Sequence, residues 1–417
     1  MNEDSARGDL YRKNGELILD GCGLAETARE YGTPLYIYSE GRIRENYRRY
    51  ADAFGFMKTD ICYAVKANSN PEIISLLASL GAGADVVSGG ELFMAVKAGV
   101  DPEKIVFSGV GKSEEEIRQA VRSGIRMLNV ESAQELEVIR KTAFDENTTA
   151  GISVRVNPDI DPLTHPKIST GIRESKFGIP RERALELYRE AAAMYSVEIR
   201  GVHFHIGSQI TDLEPFRLVA EASSEFVSEL SGMGIKVKYV DIGGGLGIRY
   251  GSEDVPSPYE IAEVLKEHLA DLPCSLILEP GRSIVGDAGY LISKILYVKK
   301  QEPKNFIIID AGFNDLLRPA MYGSRHEVLP VTESGETVTA DIAGPVCETG
   351  DVMARERTLK GAVPGNLIAI CDAGAYGFSM ASNYNSRPRP SEVMVQDGQV
   401  RLIRRRESYE DLIQAEL

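Results

Sequence analysis

Short apolar, β-branched runs alternate along much of this chain with segments whose apolar residues recur at helical spacing. ICYAVK (61–66), ADVVS (84–88), KIVFSG (104–109), RMLNVE (126–131), GISVRVN (151–157), GVHFHIG (201–207), KYVDIGG (238–244) and SLILEPG (275–281) read as strands. PEIISLLASLGAG (71–83) and SAQELEVIRKTAF (132–144) place their apolar residues on one helical face. About eight such strand–helix units close a (β/α)8 barrel of roughly 250 residues. An open doubly wound sheet is the alternative, but it more usually has fewer strands.

Past about Gly289 the pattern changes. YLISKILYVKK, NFIIIDAG, TVTADIAGPV, NLIAICDAG and SEVMVQDGQVRLIRR are strands broken by Gly, Pro, Asn and Asp, with few helices between them. The expected fold is therefore α/β: a TIM barrel over 36–282, then a mainly-β domain over 283–417. Residues 1–35, with ELILDG and TPLYIYS, are expected to contribute to the β domain, because chain termini often lie close together. The connection 157–179, rich in Pro, Gly and Ser, is long for a compact domain and reads equally as a surface excursion or as a lid.

At 417 residues the chain can build two full cores, and 43% apolar with 26% charged residues is a globular composition. A net charge of −15 argues against nucleic acid or an anionic membrane as partner. The polar start MNEDSARGDLYRKNG has no signal-peptide core, and no window approaches a membrane span. Five cysteines without a CxxC favour free thiols in a reducing cytoplasm.

Barrel enzymes carry their chemistry at the C-terminal ends of the strands, and phosphate sites fall after the last two. Strand one ends at Lys66, and strand six carries His203 and His205 before Gly207-Ser208. Strand seven runs into Gly243-Gly244-Gly245, and strand eight into Glu279-Pro280-Gly281-Arg282. A glycine triplet alone is most often a tight turn, and a strand-end lysine is most often a solvated rim residue. Two histidines on one strand face without an HExxH-like partner do not make a metal site, and none is expected. Taken together, an imine-forming amine, an anion cradle and a strand-end carboxylate fit pyridoxal 5′-phosphate (PLP).

YAVKAN, DVVSGGEL, HFHIGSQ, DIGGGLG, EPGRSIV, NDLLRPAMY, GPVCETGD and DAGAYGFSMASNYN occur in this order over nearly the whole chain. In combination they resemble the alanine-racemase-like, fold-type III PLP enzymes, in their group IV decarboxylase branch. The resemblance implies that Lys66 is the Schiff-base lysine and that His205 stacks on the cofactor ring. It implies that Ser208, Gly245, Gly281, Arg282 and Tyr376 hold the phosphate, that Gly244 and Pro280 also belong to the cofactor site, and that Glu279 pairs with the pyridine nitrogen. Racemases of this fold carry arginine there, so Glu279 implies decarboxylation. Cys347 resembles the proton donor, supplied in the family by the partner subunit of a homodimer. Arg282, Arg318, Tyr322, Glu348 and Tyr376 are the implied substrate contacts. Arginine can bind a carboxylate bidentately and Glu348 can take an ammonium, which suits a substrate ending in a whole amino-acid head. The implied reaction converts meso-2,6-diaminopimelate to L-lysine and CO2. Ornithine, D-lysine, arginine or carboxynorspermidine are the alternative substrates, and a non-catalytic PLP carrier is the rival of another class.

Overall fold

The computed structural model describes residues 5–7, 9–161, 171, 175–251, 253–333 and 335–416. Two compact units divide the chain: residues 46–248 with 254–283, and residues 1–45 with 249–253 and 284–417.

The first unit is a closed barrel of eight parallel strands. They are β1 (Thr59–Ala64), β2 (Gly83–Val86), β3 (Ile105–Phe107), β4 (Met127–Val130), β5 (Ala150–Asn157), β6 (Val197–Phe204), β7 (Tyr239–Asp241) and β8 (Ser275–Leu278). Closure comes from the pairing of β8 with β1, Leu276 opposite Thr59. The strands are nearly all apolar because both faces are buried, one by the helices and one by the barrel interior. The helices begin where the sequence supplies caps. Asn70, Ser88, Ser113, Ser132 and Ser257 each accept a backbone N–H of the first turn. Inside the barrel Cys62, Val106, Met127 and Ile277 form an apolar cluster with Tyr239 packed against it.

Two of the differences from the sequence reading bear on the site. β1 stops at Ala64, and Lys66 lies in the following 3-10 turn (Val65–Ala67). β6 starts earlier, at Val197, and ends at Phe204, so His203 is on the strand and His205 just beyond it. Of the 157–179 connection, residues 162–170 and 172–174 lie outside the described residues. Its far end is tied to the barrel: Gly178 N–H donates to Glu131 Oε2 at 2.6 Å, and Arg155 lies over the Phe177 ring at 4.7 Å.

The second unit is mainly β. Leu35–Ser39, buried along its whole length, pairs antiparallel with Gly289–Lys299 and parallel with Ser391–Gln396 in a nine-stranded sheet. Ser5–Arg7, Leu10–Lys13, Glu16–Leu19 and Cys22–Gly23 form a separate four-stranded sheet. Leu10, Leu17, Leu19, Leu24, Ile37, Tyr290, Ile292, Ala369 and Val393 share one core. The closing hairpin turns at Asp397-Gly398, both with positive φ, the conformation a two-residue turn between twisted strands requires. The strand Val352–Lys360 was not legible as one, because its solvent-facing positions are charged.

Candidate active site

The barrel brings Lys66, His205, Ser208, the glycines of 243–245, Glu279, Pro280, Gly281 and Arg282 to the C-terminal ends of its strands, as the turn positions require. The Lys66 turn is rigid for local reasons. Tyr63 Oη donates to Asn68 O at 2.9 Å, Asn68 Oδ1 accepts Asn70 N–H at 3.1 Å, and Asn70 Oδ1 caps the next helix through Glu72 N–H at 3.0 Å. The Lys66 ammonium donates to Asp85 Oδ2, from β2, whose side chain is fully buried. Burial pushes the Asp85 carboxyl up and the nearby Glu279 charge adds to this, while Lys66 opposes both.

Glu279 is the hub of the site. It is 4% exposed, and its two oxygens face different partners. Oε1 lies 3.4 Å from Ser108 Oγ, which accepts Asn129 Nδ2–H at 2.9 Å; Asn129 Oδ1 in turn accepts Ser153 Oγ–H at 2.5 Å. Oε2 faces His203 Nε2 at 3.5 Å and His205 Nδ1 at 3.9 Å. Burial alone would raise the Glu279 carboxyl, but His203 and Lys66 outweigh it and hold the group well below the usual carboxylate range. Asp241, on β7, goes the other way. Burial and then the Glu279 charge push it well above the carboxylate range. Burial, then Arg155, hold the His205 imidazole well below its ordinary value, and it stays neutral.

The glycine loop leaves no room for side chains. A Cβ on Gly243 (φ +70°) would meet His205 Nδ1 at 2.4 Å, and one on Gly244 would meet the Glu279 carbonyl oxygen at 2.2 Å. Gly281 packs on the lysine turn, where its Cβ would touch those of Ala64 and Ala67 at 3.0 Å. Beside this loop Arg282 Nη2 donates to Ser208 Oγ at 3.1 Å, so the turns after β6 and β8 present an arginine and a hydroxyl together. A small phosphate ester fits such a place: bare backbone can approach it and a guanidinium can pair with it.

The β unit gathers its candidates in two groups. Arg318 is 5% exposed, and its guanidinium lies over the rings of Tyr250, Tyr322 and Tyr376 at 5.4, 5.4 and 5.9 Å. Its Nη2 donates to Ser324 Oγ at 3.2 Å. Tyr376 holds a left-handed backbone (φ +55°), uncommon for an aromatic residue and often retained at functional sites. The second group is the loop carrying Cys347 and Glu348. Its exposed thiol residue is anchored by Cys347 N–H donating to Asn385 Oδ1 at 2.8 Å, and Glu348 Oε1 accepts Tyr384 Oη–H at 2.6 Å. Asp351 clamps the loop from inside, accepting the N–H groups of Phe313 at 2.7 Å and Val346 at 2.8 Å.

Sequence reasoning missed Asp85, Asp241, Tyr250 and the Ser108–Asn129–Ser153 string. The signals existed, polar residues inside GADVV, YVDIGG and MLNV, but period-2 facing in so short a strand does not say which face is the barrel interior. His203 was weighed only as a metal ligand; it sits with Asp241 and Glu279, ligand-type atoms of all three within 4.8 Å.

An amine held at a strand end, an ionised buried carboxylate and a side-chain-free turn beside Arg282 and Ser208 are what PLP needs, so the donor set fits this group. The family model for the pyridoxal-dependent decarboxylase, pyridoxal binding domain, matches residues 40–286. The chain is 49% identical to the diaminopimelate decarboxylase of Aquifex aeolicus, covering 98% of this chain and 97% of the relative. It is 45% identical to that of Pseudomonas aeruginosa, with 97% of each covered. Among solved structures it is similar to the diaminopimelate decarboxylase of Helicobacter pylori complexed with L-lysine, with a TM-score of 0.92, 45% identity, and 94% of this chain and 98% of that one covered. The M. jannaschii enzyme in complex with L-lysine gives a TM-score of 0.93 at 42% identity, with 98% and 97% covered. The chain therefore belongs to the pyridoxal-dependent decarboxylases, within the diaminopimelate decarboxylase family, and its cofactor is pyridoxal 5′-phosphate.

Proposed function

We propose that this chain decarboxylates meso-2,6-diaminopimelate to L-lysine and CO2, as a cytoplasmic homodimer with shared active sites. The observation that carries the reaction type is Glu279, a buried carboxylate whose Oε2 faces His203 Nε2 and His205 Nδ1. The full-length relatives named for diaminopimelate support the substrate. None of the five cysteines forms a disulfide, which supports a reducing compartment. No helix among the described residues is long and apolar enough to cross a membrane.

PLP, when bound, supplies the electron sink for the bond to the leaving carboxylate. The protein does the rest. Lys66 holds the cofactor through its amine, with Asp85 as the fixed hydrogen-bond acceptor for that amine. Glu279 keeps the pyridine nitrogen protonated, and His205, neutral, covers the ring without competing for its charge. Ser208, Gly244, Gly245, Pro280, Gly281, Arg282 and Tyr376 surround the phosphate. Arg318 and Tyr322, with Arg282 and Tyr376, bind substrate carboxylate, and Glu348 takes the distal ammonium. Cys347 returns a proton to Cα. The cofactor domain is the barrel unit, 46–248 with 254–283; the segment 36–45, assigned to the barrel from the sequence, belongs with the β unit instead, because Leu35–Ser39 pairs with that unit's strands.

The test of substrate is CO2 release from a panel of amino acids, with wild type and Arg318→Met side by side. Wild type should prefer diaminopimelate over lysine, ornithine and arginine. Arg318→Met leaves the distal carboxylate short of its partner, at a cost of about 1–3 kcal/mol, so diaminopimelate turnover should fall roughly tenfold to a hundredfold. Residual activity on mono-carboxylate substrates should fall far less. A wild-type preference for ornithine or lysine would refute the substrate, and equal losses on every substrate would make Arg318 a structural residue.

The exposed position of Cys347 on a clamped loop supports donation to a neighbouring copy. Mixing inactive Lys66→Ala with inactive Cys347→Ala protein tests this. Each mixed dimer then has one site with both lesions and one with neither. Random pairing makes about half of the dimers mixed, so about a quarter of wild-type activity should return. No recovery after demonstrated subunit exchange would assign both residues to one chain.

A further inference from the structure

Adjacent strands β5, β6 and β7 place Arg155 opposite His203 and His203 opposite Asp241 in one row. Glu279 follows β8, whose Ile277 is opposite Asp241. His203 is 1% exposed and Asp241 is fully buried, so water solvates neither. Interior positions of such barrels are normally filled by bulky apolar side chains, and polar ones here need a reason. Asp241 Oδ1 is already committed, accepting Gly243 N–H at 2.9 Å, which leaves Oδ2 to carry a proton. His203 Nε2 faces the Glu279 oxygen that Ser108 does not serve.

We propose that His203 and Asp241 are positioning residues for Glu279. His203 donates from Nε2 to Glu279 Oε2, Asp241 carries the single proton held by the two buried acids, and Glu279 is thereby the acid that stays ionised. This rests on the reading that Glu279 faces the cofactor's ring nitrogen. Neither residue touches the reacting atoms. They act through Glu279, and so on the proton of that nitrogen. The titratable and charged groups that face this cluster are Lys66 after β1, Asp85 on β2, Arg155 on β5 and the imidazole of His205 after β6. All remain in the variants below, so their contribution is constant. The sign follows directly. Without the His203 donor, Glu279 is less stable as an anion and therefore more basic, so it takes up the shared proton itself and the ring nitrogen is left unprotonated at lower pH.

The experiment uses holoenzyme carrying cofactor labelled with nitrogen-15 at the ring nitrogen, whose chemical shift is followed from about pH 6 to about pH 9. His203→Leu should lower the midpoint of ring deprotonation by about one unit or more, a roughly tenfold change in the equilibrium, with cofactor stoichiometry retained. His203→Gln, which restores an N–H donor, should recover most of that shift; a merely structural histidine would give no such rescue. Asp241→Asn replaces a neutral acid by a neutral amide and should leave the midpoint within a few tenths of a unit, well under the error of treating it as a charge change. An unmoved midpoint in His203→Leu overturns the role of His203. A midpoint displaced by a unit in Asp241→Asn overturns the placement of the proton. If His203→Leu does not retain cofactor, His203→Met, which also lacks a donor, is read in its place: a lowered midpoint that His203→Gln restores supports the proposal, and an unmoved one overturns it. Glu279→Gln separates the two levels. If it leaves the ring-nitrogen signal unchanged, the assignment of Glu279 itself fails, whatever the histidine variants do.

Discussion

Lys66→Ala protein is expected to fold and to turn over about a thousandfold more slowly than wild type, or worse. That is the range for removing a group that forms the covalent link and moves protons. The fold should survive because the turn is held by Tyr63, Asn68 and Asn70 and not by the lysine side chain, a third of which is exposed. The change strips Asp85 of its ammonium partner. Its carboxyl is already pushed up by burial, so it takes a proton instead of remaining a buried charge. The measurement is steady-state CO2 release, joined to borohydride reduction of wild-type holoenzyme and peptide mapping. The label should fall on the peptide that carries Lys66. A label on another lysine, or a variant within tenfold of wild type, would remove Lys66 from the chemistry.

Glu279→Gln should keep cofactor and shape yet lose about a hundredfold in turnover, the roughly 3 kcal/mol typical of one charge-assisted contact made at a transition state. The amide can still accept from Ser108, so the serine–asparagine string stays intact while the charge is gone. Because Glu279 contributes to the upward push on Asp241, its neutralisation also lets Asp241 ionise more readily. Part of any residual activity would then rise with pH as Asp241 takes up the charge. Cofactor content and the pH profile of turnover, measured together, check both points. Wild-type turnover in this variant would refute the electron-sink role.

The sequence was informative where chemistry is local. The Lys66 strand end, the 243–245 glycines and the 279–282 turn are single contiguous words, and the barrel assembles them at one end. It was less informative where a side chain's meaning depends on register across strands. Asp85 and Asp241 look like ordinary interruptions of apolar runs, and only pairing puts Asp241 beside His203. β6 read short because Glu198 and Arg200 look like loop residues; they form an ion pair at 2.8 Å that keeps both charges at the strand's start. Val352–Lys360 was missed because an outer strand can be charged along its solvent side and still pair, here with Thr337–Ala343.

The second unit is interrupted by the first, and this sets an order of events in folding. Leu35–Ser39 sits between Gly289–Lys299 and Ser391–Gln396, so one neighbour is synthesised about 250 residues later and the other about 350. Closing a flexible loop of about 350 residues costs on the order of 5 kcal/mol in chain entropy before any contact rewards it. The barrel meets this cost in small steps, since each of its strands pairs with one that follows soon after. When β8 reaches β1, the two ends of the barrel segment are brought side by side. The long closure then becomes a short one, and the central sheet of the β unit can form as a late, nearly local event.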